Sequence, residues 1–251
     1  MEDGAILKDG IYGLIDCFGS PYVPGQTPKI RGEEIKDIIL RIFYNSSKKE
    51  SLENVLIMAN NAVAELHRRK GISLQDQGEL GGATFVFADV SSEIIRIIQG
   101  GDCIALIKTL DNVILHTKNQ AFEHEKWGHR TLFPQLLRLF GDPKTAWQAY
   151  LPFLKERRKK DFNAKIAVLN GRLNLGIAQK LVILRRKVKY LLLFTDGFLP
   201  FSKIAKIKKQ ITQDFEEGGL RQILENTRKI QRKRTFTHIK FPEASAIAIK
   251  F

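Results

Sequence analysis

Three aspartates stand where short apolar runs end. Asp16 closes Tyr12-Gly13-Leu14-Ile15, Asp102 lies in Gly100-Gly101-Asp102-Cys103, and Asp196 follows Leu191-Leu192-Leu193-Phe194-Thr195 and precedes Gly197. A carboxylate at a strand end is fixed by a rigid element yet faces open space. Several such groups brought together form an all-oxygen site suited to a hard cation such as Mg2+ or Mn2+. Two such ions about 3.5–4 Å apart activate a water and polarise a phosphoryl oxygen. Each dipeptide alone also has a plainer reading, because Asp-Gly and Gly-Asp make turns.

Other reactive residue types carry less. His124 and His129 flank Trp127, with Glu123 and Glu125 beside them. This spacing fits neither one helical face nor a zinc pattern, so the stretch reads as a solvated loop. Cys17 and Cys103 are the only cysteines, which excludes a disulfide scaffold and a Cys-rich zinc site. Both fall in the turns named above. They read as two small buried thiols, with an oxidation-sensitive pair as the alternative.

The elements that must hold these residues alternate in runs. Strand signals cover residues 11–15, 84–88, 94–98, 104–108, 113–115, 190–194 and 245–251. Ile35, Ile38, Ile39 and Ile42 fall at helical spacing, and a second helix follows Ser51 as its N-cap. Residues 121–160 turn helical, with Pro143 in a first turn and Pro152 as a kink point. Two basic helical stretches run from the residues after Gly197 to about Arg234, and Phe194, Phe198 and Phe201 read as core packing. Strands joined by short breaks favour antiparallel pairing. Runs of strands and runs of helices point to an α+β fold with helices outside an antiparallel core.

Composition bounds the rest. The 251 residues carry 41 Lys+Arg and 27 Asp+Glu, a net of +14, with 43 % apolar residues. That supports one sizeable core, expected as a single domain over 1–251. No apolar run approaches the roughly 20 residues of a membrane span. The start, Met1-Glu2-Asp3-Gly4, lacks the positive stretch of a signal peptide, so a cytoplasmic protein is expected. Residues 1–154 hold 17 basic against 19 acidic groups, a net of −2, and residues 155–251 hold 24 against 8, a net of +16. The basic half reads either as solvated helix faces or as a field for acidic or phosphorylated partners. No aromatic interleaving accompanies it, which argues against nucleic acid.

In order and wording these segments resemble the metal-dependent protein serine/threonine phosphatases of the PP2C (PPM) family, as a divergent bacterial-type member. Glu2-Asp3 looks like that family's N-terminal Glu-Asp pair, and Leu14-Ile15-Asp16-Cys17-Phe18-Gly19 like its Asp-Gly-x-Gly strand end. Gly82-Ala83-Thr84, Gly100-Gly101-Asp102-Cys103, Thr195-Asp196-Gly197 and the closing strand at 245–251 follow in the family's order, across nearly the whole chain. The resemblance implies an αββα sandwich, two packed antiparallel β-sheets flanked by helices, with a binuclear Mg2+ or Mn2+ site at one end. It implies that Asp16 bridges two metals, that Asp196 and the backbone carbonyl of Cys17 are ligands, and that Asp102 serves a third, looser metal. Glu2 and Asp3 would hold metal-bound waters. The implied reaction is hydrolysis of phosphoserine or phosphothreonine in a protein substrate by direct attack of a metal-bound water.

Three departures accompany the resemblance. Pro242 stands where the family has an Asp, so Glu243 is the candidate replacement ligand. Cys17 stands where the family has Gly, which adds a side chain and restricts φ. The family's upstream strand with a phosphate-binding Arg has no counterpart before Glu2, so either a later basic residue would do its work or the sequence is a fragment. A catalytically degenerate pseudophosphatase, binding phosphoprotein or an acidic partner through the basic half, is therefore the rival reading. The sequence leaves substrate identity and oligomeric state open.

Overall fold

The computed structural model describes residues 2–200, 202–234 and 243–251. In chain order its elements are β1 (Asp3–Lys8), β2 (Ile11–Phe18), α1 (Gly32–Asn45), α2 (Leu52–Arg69), β3 (Gly82–Asp89), β4 (Ile94–Gly100), β5 (Ile104–Thr109) and β6 (Ile114–His116). Then follow α3 (Phe122–Trp127), α4 (Phe133–Phe140), α5 (Pro143–Asp161), β7 (Gln179–Leu184), β8 (Val188–Phe194), α6 (Ile204–Arg234) and β9 (Ala246–Lys250). The fold is α+β, as expected, with two antiparallel sheets flanked by helices. One sheet runs β1-β2-β3-β4-β7 and the other β6-β5-β8-β9. Among the described residues no helix is long and apolar enough to cross a membrane.

The chain divides into two compact units. The first comprises Met1–Asp16, Thr84–Asn119 and Gln179–Phe251. Its core lies between the two sheets. Leu14, Val86 and Ile97 from the first sheet pack in one cluster with Ala105, Leu191, Leu193 and Ile249 from the second. The alternate side chains of β8, namely Tyr190, Leu192 and Phe194, face the other way and pack with Ile204, Ile211, Phe215 and Ile223 of α6. That two-sided burial explains why residues 190–194 read as an unbroken apolar run rather than an alternating one. Phe194 and Phe198 are core residues, as expected; Phe201 lies outside the described residues. The two basic helical stretches are the halves of α6, broken at Gly218 and Gly219, the latter at φ +68°.

The second unit comprises Cys17–Ala83 and Gln120–Ala178. Ser51 caps α2 by accepting from the Asn54 N–H at 3.2 Å, as its position predicts. Asp142 caps α5 through the Thr145 N–H at 2.7 Å, with Pro143 at its first position and Pro152 inside it. The Asn60 side chain on α2 accepts from the N–H groups of Gly171 and Leu173, at 2.8 and 3.2 Å. Arg158 of α5 is buried, donates to the Leu80 carbonyl at 3.2 Å and lies 4.8 Å from the Phe18 ring centroid.

Several elements differ from the sequence reading. β1 begins at the acidic Asp3 and buries only some of its six residues, so no apolar run marks it. β7 is an edge strand of alternating exposure followed at once by three cations, which masks its short apolar run. His124 is not in a solvated loop. It sits on α3, largely buried, with Nδ1 3.1 Å from Asp161 and its ring stacked on Phe162. Burial lowers its pKa against the pull of Asp161.

Candidate metal centre

Strand register brings the aspartates to one end of the first unit. Asp16 pairs with Asp3 across β1 and β2, so both side chains leave the same face of the sheet. In the other sheet Ile104 pairs with Phe194, and Phe194 with Ala246. Asp102 precedes Ile104 by two residues and Asp196 follows Phe194 by two. Antiparallel pairing therefore sets both beyond the same strand ends, beside Ser245.

One carboxylate oxygen each from Asp16, Asp102 and Asp196 lies within 4.8 Å of the other two. These are the three aspartates that the sequence places at strand ends. Asp16 and Asp102 are half-buried, whereas Asp196 keeps an open side to solvent. Its carboxylate nonetheless sits low among protein atoms. Burial first, then the charge of Asp102, raises the Asp196 pKa to about 7, against a hydrogen bond with Asp16. Burial, then the charges of Asp102, Asp196 and Asp3, pushes Asp16 well above the usual carboxylate range. Burial also raises Asp3, opposed by hydrogen bonds from Ser245 and Thr195.

Hydroxyl groups fix these carboxylates. Thr84 Oγ1 donates to Asp102 Oδ1 at 2.5 Å and lies 3.5 Å from the Cys103 sulfur. The buried Thr195 donates to Asp3 Oδ2 at 2.9 Å, while its Oγ1 accepts from the Ser245 N–H at 2.9 Å. The Thr195 N–H donates to the Ser245 carbonyl at 3.0 Å, so β8 and β9 jointly hold Asp3. Neither threonine has a role in the sequence reading. The available signal was a hydroxyl residue at the base of a motif turn, and its partner is far away in the chain.

The remaining candidates occupy other places. Glu243 Oε2 accepts from the N–H groups of Glu2 and Asp3, at 2.6 and 3.2 Å, which fastens the start of β1. It adds a like charge near Asp3 but is not in the three-aspartate group. Pro242 lies outside the described residues. Cys17 is buried within β2, and its backbone lacks the left-handed conformation that would demand glycine. Both cysteines are free and buried. Burial, then the charges of Asp102 and Asp16, pushes the Cys103 thiol well above its ordinary range.

Gly101 holds the Asp102 turn at φ +78°, where an added Cβ would lie 2.2 Å from Thr84 Cγ2. Gly101→Ala is expected to destabilise the fold by about 2–4 kcal/mol in urea melts, through the strained φ and the displaced threonine.

The donor set fits a hard divalent cation. All three converging groups are oxygens, and crowding like charges is unfavourable until a cation offsets them. Among the described residues no soft or nitrogen ligand takes part in the cluster.

No protein-family model matches the sequence, and neither does any curated protein. Solved structures do match. The catalytic domain of the serine/threonine phosphatase PstP, in complex with two manganese ions, gives a TM-score of 0.56 at 14 % identity, covering 98 % of this chain and 89 % of that one. Stp1 from Staphylococcus aureus, a serine/threonine phosphatase, gives 0.54 at 16 % identity, covering 92 % and 85 %. The PPM Ser-Thr phosphatase MsPP from Mycobacterium smegmatis, in complex with cacodylate, gives 0.52 at 13 %, covering 98 % and 90 %. The fold is thus that of the bacterial PP2C-type phosphatases, as the motifs lead one to expect. At these identities the likeness is one of fold.

Proposed function

We propose that this chain is a Mg2+- or Mn2+-dependent phosphatase of the PP2C type, acting on phosphoserine and phosphothreonine in proteins. The observation that supports it best is the convergence of Asp16, Asp102 and Asp196 within 4.8 Å. When bound there, divalent ions supply a water of lowered pKa and polarise the phosphoryl oxygens. Asp16 pairs with Asp3 across the strands and also belongs to the group with Asp102 and Asp196, which suits a shared ligand. Asp196 and, as the resemblance implies, the Cys17 carbonyl would complete the main ligand set, and Asp102, held by Thr84, would serve a looser ion. Asp3, oriented by Thr195, and Glu2 fit the role of holding metal-bound water. Glu243 acts chiefly by docking β1, and so keeps Asp3 in place. In this reading, as the resemblance implies, water forms the new P–O bond. The ester P–O bond breaks as the serine or threonine oxygen leaves and takes up a proton.

One observation favours the binding-only reading as the rival. The Glu243 oxygen that would replace the missing Asp already accepts two backbone N–H groups. Activity separates the two readings. After chelation with EDTA the protein should not hydrolyse p-nitrophenyl phosphate, and adding Mn2+ should restore turnover. A folded protein that binds a phosphothreonine peptide but stays silent with Mn2+ and with Mg2+ would leave the binding-only reading standing.

A further inference from the structure

We propose that the outer edge of β7 takes up an extended acidic segment of a partner protein as an added strand. β7 has β4 as its neighbour on one side and no strand on the other. All six of its residues pair with β4, from Gln99↔Gln179 to Ile94↔Leu184, without a bulge. At such an edge alternate residues point both N–H and C=O outward, where another chain can pair with them. Protection is slight. Gln179–Leu184 contains no proline, and Lys180 is its one charged residue. At the opposite edge of the sheet, by contrast, the first N–H of β1 is bonded to the Glu243 side chain.

The side chains of β7 say what the added strand must carry. Leu181 and Ile183 pack against the core between the sheets but are only partly buried, so the core ends uncovered at this rim. On the other face Val182 is 68 % exposed, and Leu184 is exposed beside it. Aliphatic residues on an added strand would cover both rows at once, because cross-strand neighbours stand side by side on each face.

Charge selects the partner. The exposed Arg96 pairs with Val182 across β4 and β7, and Lys180 and Arg186 are exposed along and just beyond the strand. Arg185 is held at its end. Its Nη1 donates to the Val90 carbonyl at 3.4 Å, and its guanidinium lies 5.4 Å from the Phe251 ring centroid. The carboxylates of the β3–β4 hairpin offset this field only in part. Asp89 pairs with Arg96, and its Oδ1 already accepts from the Ser91 N–H and hydroxyl, while Glu93 is exposed at the turn. An acidic strand is therefore favoured, and two copies meeting edge to edge would bring these cations together. Main-chain bonds would supply the hold, and the flanking charges the choice of partner.

The test is fluorescence anisotropy of a labelled peptide, fluorescein-Glu-Asp-Glu-Val-Val-Thr-Val-Glu-Thr-amide, titrated with the full chain. Two further peptides carry N-methyl groups on alternate residues, one on the odd positions and one on the even. Only one set of N–H groups can face β7, so one methylated peptide should bind at least about tenfold more weakly and the other like the parent. Val182→Asp, a change at an exposed position, should weaken the parent peptide by at least about tenfold, since like charge and lost apolar contact act together. Arg186→Gln should weaken it less, and Lys206→Gln, which removes an exposed charge from α6, should bind like the wild type. If Val182→Asp misfolds by circular dichroism, the methylated pair on the wild type decides. No binding by the wild type, the same affinity for both methylated peptides, or equal weakening by Arg186→Gln and Lys206→Gln overturns the proposal. So does a wild-type dimer in sedimentation that Val182→Asp dissociates, which would give the edge to a second copy of this chain instead.

Discussion

Asp16→Asn is expected to abolish Mn2+-dependent turnover while making the metal-free protein more stable. The two effects share one cause. Asp16 is half-buried, and the charges of Asp102, Asp196 and Asp3 surround it, so its ionised form is unfavourable without a cation. An amide keeps the shape and removes the charge, which relieves the repulsion. On the proposed function the same change also removes one of the three carboxylates offered to the metal, for which a loss of at least about 10²–10³-fold in kcat/KM is expected. In EDTA at pH 8 the variant should melt a few degrees above the wild type. With Mn2+ the order should reverse, because only the wild type gains from the metal. An amide variant that melts below the wild type in EDTA would contradict this account of the site's electrostatics.

The second large effect is a pH dependence that metal inverts. The Asp196 pKa rises from its ordinary 3.8 to about 7 in the metal-free fold. A carboxyl whose folded pKa is raised contributes stability that is complete below its unfolded pKa. That contribution is lost as pH rises through the folded value. The metal-free protein should therefore lose stability between about pH 4 and pH 7, and Asp16 and Asp3 shift in the same direction. Buried neutral His67 and His124 act the opposite way at the acid end, since their pKa values are lowered. The measurement is thus the difference between the wild-type and Asp196→Asn profiles in EDTA. It should grow as pH rises from about 4 and level off above about 7, with the variant gaining. Saturating Mn2+ competes with the protons and binds the folded state, so its stabilisation should increase with pH. At a concentration near one hundred times Kd it should reach about 2.7 kcal/mol, or roughly 5–11 °C in Tm.

How far the sequence reveals this site depends on whether the signal is local. Asp16, Asp102 and Asp196 are legible because each stands at the end of a buried strand, where an aspartate contrasts with an apolar run. The run at 190–194 is especially plain, since both of its faces are covered. β1 and β7 are not legible in this way. One starts on the carboxylate that it positions, and the other is an edge strand with Val182 68 % exposed. The partners that orient the site are hidden for a different reason. Thr195 finds Asp3 across 192 residues, and Glu243 finds the β1 backbone across 240, and no spacing rule spans that. The segregation of charge, −2 before residue 155 and +16 from there on, is legible as a surface property and says nothing of which cation meets substrate.

The most direct test of the central claim is phosphate release from a phosphothreonine peptide, with and without Mn2+, by the wild type and by Asp196→Asn. Both proteins should first be shown to be folded. Multiple turnovers that require Mn2+ and disappear in Asp196→Asn are the predicted result. Mn2+-dependent release that persists undiminished in Asp196→Asn would contradict the three-aspartate site. No release by the folded wild type at saturating Mn2+ or Mg2+ would contradict the enzyme itself.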